Sequence, residues 1–244
     1  MIENSISGIL TINKSAGMTS HDVVNKIRRL YGTKKVGHAG TLDPDATGVL
    51  VVLVGRAAKA AEFAVCERKE YRAGLLLGIT TDTQDTSGKI LSSSDNIPPK
   101  EEVLEAVNSF SGEIMQIPPM YSALKVGGKK LCDMARAGIT VEREARPITI
   151  YSIKADGDGK NYTLDVSCSA GTYIRTLCHD IGEKLGCGGA MSSLVRKASG
   201  GFSIENAVTL EEIERMDISE RESLLMPTEN LFKELQTVKL PAFY

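Results

Sequence analysis

Hydrophobic and polar positions change period along the chain, and the change predicts a fold that mixes strands with helices. Residues 8–12 (GILTI) and 49–55 (VLVVLVG) are short apolar runs of the length typical of buried strands. Further strands are predicted at residues 70–78, 89–92, 113–117, 148–155 and 162–169. Further helices are predicted at residues 57–63, 100–110, 130–137 and 172–185. Strands and helices do not alternate strictly, so we expect an α/β or α+β fold with a mixed, largely antiparallel sheet flanked by helices.

The first helix has the clearest start and end signals. Thr19 and Asp22 have the spacing of a capping box, and the acid in the first turn also favours a helix N-terminus. Apolar residues then recur with helical period over residues 23–31, and Gly32 follows as a C-cap candidate. We therefore expect a helix between Thr19 and Gly32.

The most unusual segment is the predicted loop at residues 37–48, GHAGTLDPDATG. It leads into the apolar run at 49–55, and Asp43 lies in it between Leu42 and Pro44. A proline biases the preceding residue towards extended geometry, so Asp43 has a defined direction. An aspartate held in this way serves as a nucleophile, a general base or a metal ligand, or it caps a turn. The residues alone leave these alternatives open.

Composition and charge place the chain among ordinary globular proteins. Its 244 residues fit one large domain or two modest ones, and the net charge of −2 argues against a general polyanion binder. The charge is unevenly spread, because residues 201–244 carry a net −5 and the rest of the chain +3. Basic clusters near residues 26–35, 68–72 and 125–130 either follow a phosphate backbone or are solvated faces.

Several function classes are disfavoured by what the sequence lacks. No apolar run approaches the roughly 20 residues that cross a bilayer, and the N-terminus has an early Glu3 and no basic stretch, so we expect a cytoplasmic protein with no membrane partner. The five cysteines have no paired spacing and are expected to be buried reduced thiols. The three histidines are too scattered to predict a metal cluster.

Seven ordered segments resemble motifs of the TruB family, the tRNA pseudouridine-55 synthases. They are GHAGTLDPDATGVL at 37–50, KEY at 69–71, GITTDTQDTSG at 78–88, PPMYSALK at 118–125, REARPITI at 143–150, GTYIR at 171–175 and LVR at 194–196. The resemblance extends from about residue 8 to about residue 227. It implies a pseudouridine synthase fold with a catalytic cleft across the sheet. The implied activity is isomerisation of uridine 55 in the T loop of tRNA, with base flipping.

The resemblance also implies the catalytic residues, and it implies that no cofactor or metal is required. Asp43 matches the catalytic nucleophile. Arg175 matches the arginine that keeps this aspartate ionised and directed, and Tyr71 matches the tyrosine that stacks on the flipped uracil and handles a proton. The implied partner is the T arm of tRNA, and we expect the protein to act as a monomer.

Four further residues are expected to bind substrate by the same resemblance. His38 matches the histidine that inserts into the tRNA near the vacated base position. Tyr173 is expected to line the pocket, and Leu194 matches an apolar pocket contact. Lys14 is placed near a phosphate or in loop structure.

Two departures from the family pattern are visible. The chain has Ser15 after Lys14 where the family usually has proline, which frees one φ angle and adds an N–H donor. The chain also ends at LPAFY, about where bacterial members begin a small RNA-binding PUA domain. We therefore expect a catalytic domain over residues 1–226 and, over residues 227–244, a linker or the beginning of such a domain.

Two rival functions remain open on the sequence. One is a non-catalytic tRNA-binding or tRNA-folding module that uses the same cleft, although Asp43, Tyr71 and Arg175 are all retained. The other is a nucleoside hydrolase or glycosidase, which requires a second carboxylate in the pocket, and Asp45 is the nearest candidate.

Overall fold

The computed structural model describes residues 6–61 and 68–232, and it divides the chain into two compact units. The first unit is discontinuous and combines residues 1–67 with residues 196–244. The second unit is continuous and comprises residues 68–195. Among the described residues, no helix combines the length and the apolar character that a membrane crossing requires.

Strands and helices follow one another along the chain without strict alternation. The strands are β1 (Gly8–Lys14), β2 (Val36–Ala39), β3 (Thr47–Val54), β4 (Arg68–Leu77), β5 (Ile79–Thr81), β6 (Ile90–Ser93), β7 (Gly112–Gln116), β8 (Lys125–Val126), β9 (Lys129–Lys130), β10 (Arg146–Asp158), β11 (Asn161–Ser169), β12 (Gly189–Ser199) and β13 (Phe202–Ser203). The helices are α1 (Ser20–Leu30), α2 (Lys100–Asn108), α3 (Leu131–Arg136), α4 (Ile174–Lys184), α5 (Leu210–Arg215) and α6 (Ile218–Ser223). Short 3₁₀ helices span Gly55–Ala60, Ile204–Asn206 and Thr228–Phe232.

In the first unit, β3 is the central strand. It pairs antiparallel with β1, in a register that runs from Gly8 opposite Val54 to Lys14 opposite Gly48, and antiparallel with the short β2. Residues 48–54 of β3 are all buried, which means that both faces of this strand are covered. The segment after residue 196 returns to β1, where Asn13 N donates to Val208 O (2.8 Å). The two chain segments of this unit are therefore held together at β1.

Helix α1 begins as its sequence predicts. Thr19 is the N-cap, its hydroxyl accepts from Asp22 N, and the Asp22 carboxylate accepts from Thr19 N, which completes the capping box. Val23 and Ile27 on the apolar face of the helix are fully buried, and Leu30 is partly buried. The helix N-terminus is thus fixed next to the loop between β2 and β3, and that loop carries Asp43.

In the second unit, β4, β11, β10 and β7 form a consecutive antiparallel sheet. Helices α2 and α4 contribute buried apolar side chains, such as Val103 and Leu177, to the same core as the sheet. Two small hairpins, β5–β6 and β8–β9, lie outside this sheet. The core thus supports β4 and α4, the elements that carry Tyr71 and Arg175.

The predicted class of mixed elements with a largely antiparallel sheet is confirmed, but several elements differ from the sequence-based predictions. The predicted loop 37–48 is shorter, because residues 37–39 belong to β2 and residues 47–48 to β3. The predicted helix 57–63 is a 3₁₀ helix, Gly55–Ala60, and residues 62–63 lie outside the described residues. Strand β12 is absent from the sequence-based predictions, because Ser192 and Ser193 are both exposed and interrupt the alternation.

The cysteine expectation is confirmed for three thiols. Cys168, Cys178 and Cys187 are buried and unpaired, whereas Cys132 is only half-buried. Cys66 lies outside the described residues. Burial raises the pKa of Cys168 to about 11 and that of Cys178 to about 12, so both thiols stay protonated at neutral pH.

Candidate active site

The loop that carries Asp43, residues 40–46, is held by hydrogen bonds to five consecutive main-chain carbonyl groups. The carbonyls of Gly40 and Thr41 accept from Arg196 Nη2 (3.0 Å) and Nη1 (3.4 Å), and that of Leu42 accepts from Ser20 Oγ (3.2 Å). The next two carbonyls, at residues 43 and 44, accept from the amides of residues 46 and 17 (3.2 and 3.1 Å). The backbone on both sides of the Asp43 side chain is therefore fixed before any substrate binds.

Lys14 holds the outer part of the same loop. Its side chain is fully buried, and Nζ donates to Ser15 O (2.9 Å), Met18 O (2.8 Å) and Pro44 O (2.9 Å). Burial lowers the pKa of Lys14, and the nearby Asp45 and Asp43 oppose that shift. Of the two expected roles for Lys14, these contacts support loop structure, because the ammonium has no exposed surface to offer a phosphate.

His38 lies on β2 opposite Val52 and is half-buried. Burial lowers its pKa, and the positive charge of Arg196 lowers it further, so the imidazole is neutral at neutral pH. A neutral ring keeps its flat faces for stacking and costs less to desolvate against a base. This state suits the inserted role expected for His38.

In the second unit, Arg175 occupies the first turn of α4 and is 6% exposed. Its guanidinium donates to Thr83 O (3.1 Å) and Tyr121 O (2.9 Å), and Nη1 lies 3.7 Å from Asp85 Oδ2. The charge is thus held by two separate loops and a carboxylate. Asp85 thus lies near this site, although it is not among the residues that the sequence predicts to be catalytic.

Two aspartates hold the turns of the loop at residues 82–88. Asp82 Oδ1 accepts from Lys89 N (2.8 Å), and Asp85 Oδ1 accepts from Thr83 Oγ1 (2.8 Å) and Ser87 N (3.0 Å). Gln84, between them, has a φ of 64°, and its Oε1 accepts from Thr176 Oγ1 (2.8 Å). Within the described residues, no group of three or more His, Cys, Asp or Glu side chains is placed to hold a metal ion.

The remaining predicted residues of the second unit lie near the start of α4 and in the sheet. Tyr173 is the N-cap of α4, and its backbone exchanges two hydrogen bonds with the Gln116 side-chain amide (2.8 and 3.0 Å). Gln116 is 2% exposed, so this pair of hydrogen bonds is shielded from water and fixes the backbone of Tyr173. Tyr71, on β4, is buried within the core of this unit, and Leu194, on β12, is partly buried against the same core.

The predicted site residues divide between the two units. The first unit contains Lys14, His38 and Asp43, and the second contains Tyr71, Tyr173, Arg175 and Leu194. Sequence reasoning missed Arg196 and Gln116 as supports of the loop and of the α4 N-terminus. Arg196 stands in the LVR motif, which is a signal that could have found it, whereas nothing in the sequence around Gln116 marks that residue.

Comparison with known proteins identifies the family. A family model described as TruB family pseudouridylate synthase (N terminal domain) matches residues 28–174, and one described as tRNA pseudouridylate synthase B C-terminal domain matches residues 175–233. The tRNA pseudouridine synthase B of Alkaliphilus oremlandii is 51% identical over 223 residues, which are 91% of this chain and 74% of the relative. The protein of the same name from Syntrophotalea carbinolica is 48% identical over 96% of this chain and 78% of its own length.

The fold comparison agrees. A chain of the Cbf5–Nop10–Gar1 complex has a TM-score of 0.70 and 30% identity, over 92% of this chain and 61% of its own length. A chain of the archaeal box H/ACA sRNP Nop10–Cbf5 complex gives the same TM-score at 29% identity, over 95% of this chain and 63% of its own length. The expected fold is confirmed. With family models matched over residues 28–233 and relatives about half identical, the chain belongs to the TruB family of pseudouridylate synthases.

Proposed function

We propose that this protein isomerises uridine 55 in the T loop of tRNA to pseudouridine. Family membership and the relatives named tRNA pseudouridine synthase B support a reaction on tRNA uridine. The observation that carries the proposal is the Asp43 loop, in which five consecutive carbonyls are hydrogen-bonded around the one carboxylate that matches the family nucleophile. A preset nucleophile is the feature expected of a catalyst rather than of a passive RNA-binding module.

In the proposed reaction, the N1–C1′ bond of the target uridine breaks, the uracil rotates and a C5–C1′ bond forms. The hydrogen on C5 leaves as a proton, and N1, which carries no hydrogen in uridine, gains a proton, so there is no net oxidation, and we expect no cofactor or metal to be needed. Asp43 acts as the nucleophile, either at C1′ or at C6, or it assists a glycal route. Each route requires an ionised carboxylate at a fixed position, and the loop fixes the backbone that carries Asp43.

Other residues are assigned roles within the same proposal. Arg175 supplies positive charge that favours the ionised form of Asp43, and Tyr71 stacks on the flipped uracil. His38, neutral by burial, takes the position of the base that leaves the stack. Tyr173 and Leu194 line the pocket, and Lys14 holds the loop. Since the substrate is tRNA, we place the protein in the cytoplasm. We also expect it to act as a monomer.

A pair of matched variants tests the proposal. Unmodified tRNA is incubated with wild type, Asp43→Asn and Asp45→Asn, and pseudouridine is then mapped at single-nucleotide resolution, while free uracil is measured by chromatography. Asp43→Asn is expected to lower the rate by at least about a thousandfold, because it removes the nucleophile. Asp45→Asn changes an exposed neighbour in the same loop and is expected to remain active.

Four results contradict the proposal in different ways. Pseudouridine formed at another nucleotide refutes the substrate position. An unaffected Asp43→Asn refutes the nucleophile. Release of free uracil that depends on Asp45 favours the hydrolase, and tight tRNA binding without conversion by wild type favours the non-catalytic module.

A further inference from the structure

Arg196 is a buried cation to which the proposed mechanism assigns no role. Its side chain is 1% exposed, which places it among the largest fully buried side chains described. Each hydrogen bond that its guanidinium makes ends on a main-chain carbonyl oxygen: Nε donates to Val49 O (2.6 Å), Nη2 to Gly40 O (3.0 Å) and Nη1 to Thr41 O (3.4 Å). Burial of a full positive charge is costly, and these three acceptors offset part of that cost.

The three carbonyls lie on opposite sides of Asp43 in the sequence. Gly40 and Thr41 precede Asp43, and Val49 follows it in β3. One planar side chain therefore joins the two arms of the loop. The backbone of Arg196 also lies against the second arm, because a Cβ placed on Gly48 would meet Arg196 O at 2.2 Å. Side-chain and backbone contacts independently fix residue 196 to this loop.

We propose that Arg196 is a positioning residue for Asp43, which sets the direction of the carboxylate by joining the two arms of its loop. The proposal rests on the proposed function, in which Asp43 is the nucleophile. Arginine suits the role better than lysine, because its donors form a rigid fork that reaches carbonyls in several directions at once. A lysine at this position keeps the charge and loses the fork.

The test is Arg196→Lys, with Arg221→Lys as the matched control. Arg221 also donates to three carbonyl oxygens of the first unit, those of Ile213 (2.9 Å), Leu30 (3.2 Å) and Glu214 (3.2 Å), but none of them belongs to the Asp43 loop. The single-turnover rate of pseudouridine formation and the Kd for tRNA are measured on folded protein at several pH values.

Arg196→Lys is expected to lower the single-turnover rate about 10- to 100-fold, the cost of a misplacement of about 1 Å. The Kd for tRNA is expected to stay within about twofold, and the acid limb of the pH profile to stay at the wild-type pH, because the charge is retained. Arg221→Lys is expected to keep the wild-type rate. A wild-type rate in Arg196→Lys, an effect confined to Kd, or a shifted acid limb with an unchanged plateau overturns the proposal.

Hydrogen exchange provides a second readout that needs no activity. Residues 40–46 are expected to be protected in wild type and in Arg221→Lys, and to exchange faster in Arg196→Lys. Rapid exchange of this loop in wild type overturns the proposal even where Arg196→Lys does not fold. If wild type forms no pseudouridine in tRNA, the proposed function fails, and the exchange comparison still tests whether Arg196 fixes the loop.

Discussion

Replacing Gly48 by alanine tests how tightly the Asp43 loop is set. Gly48 has a φ of +97°, and an added Cβ would lie 2.2 Å from Arg196 O and 2.9 Å from Arg196 N. Real Cβ atoms essentially never come closer than 3.0 Å, so the two backbone segments must separate by roughly 0.8 Å. Backbone atoms cannot move aside as the end of a flexible side chain can, so the strain falls on β3 and on the loop before it.

Gly32→Ala is the matched control, because Gly32 also has a positive φ (+60°) and an added Cβ there has no neighbour within 4 Å. The positive φ alone costs about 1 to 2 kcal/mol at either position. The collision at Gly48 adds about 2 kcal/mol or more. For a chain of this size we expect Tm to fall by about 2 to 8 °C in Gly32→Ala and by about 6 to 16 °C in Gly48→Ala.

The catalytic consequence separates the two variants further. A shift of this size next to Asp43 is expected to lower the single-turnover rate on tRNA by about 10- to 100-fold in Gly48→Ala, and to leave Gly32→Ala at the wild-type rate. Thermal unfolding followed by circular dichroism gives the stability, and single-turnover assays give the rate. A Gly48→Ala protein that equals Gly32→Ala in both measurements refutes the close approach of Gly48 and Arg196.

Two further predictions concern titratable groups. Burial raises the pKa of Tyr31 to about 12, and its hydroxyl donates to Arg221 O (2.7 Å). Above pH 10 the unfolded chain ionises this group first, so stability falls as pH rises from about 10 to about 12, by about 1.4 kcal/mol at pH 11. The free energy of unfolding, measured with urea at pH 8 and at pH 11, should therefore fall more in wild type than in Tyr31→Phe. An equal fall in the two proteins would contradict the prediction. For the thiols, iodoacetamide at pH 8 should label Cys132 in the folded protein, and Cys168 and Cys178 only after unfolding. Peptide mass spectrometry identifies the labelled cysteines. Labelling of Cys178 in the folded protein would contradict its burial.

Sequence patterns predicted the elements whose formation is a local matter. The helix after Thr19 has its cap, its acid at Asp22 and its apolar period within one short segment, and the structure contains it as predicted. The predicted strand 162–169 corresponds to β11, Asn161–Ser169, because polar and apolar residues alternate along it. In such segments the local signal and the tertiary environment favour the same structure.

The missed features depend on partners that are distant in the sequence. Strand β12 contains two neighbouring exposed serines and the buried Arg196, so it lacks the alternation of apolar and polar residues that predicts a strand. Burial of Arg196 becomes intelligible only when the carbonyls of Gly40, Thr41 and Val49 are placed around it. The site residues were named by resemblance to motifs, and their catalytic roles remain predictions that the assays above address.

The bonds from Arg196 to the Asp43 loop also constrain the order in which the protein assembles. The guanidinium meets carbonyls that lie 147, 155 and 156 residues earlier in the chain. The whole second unit, residues 68–195, is synthesised between the two halves of this contact. A nascent chain that has not yet reached residue 196 lacks the side chain that joins the loop arms, so the Asp43 loop gains these three hydrogen bonds only after the second unit has been synthesised.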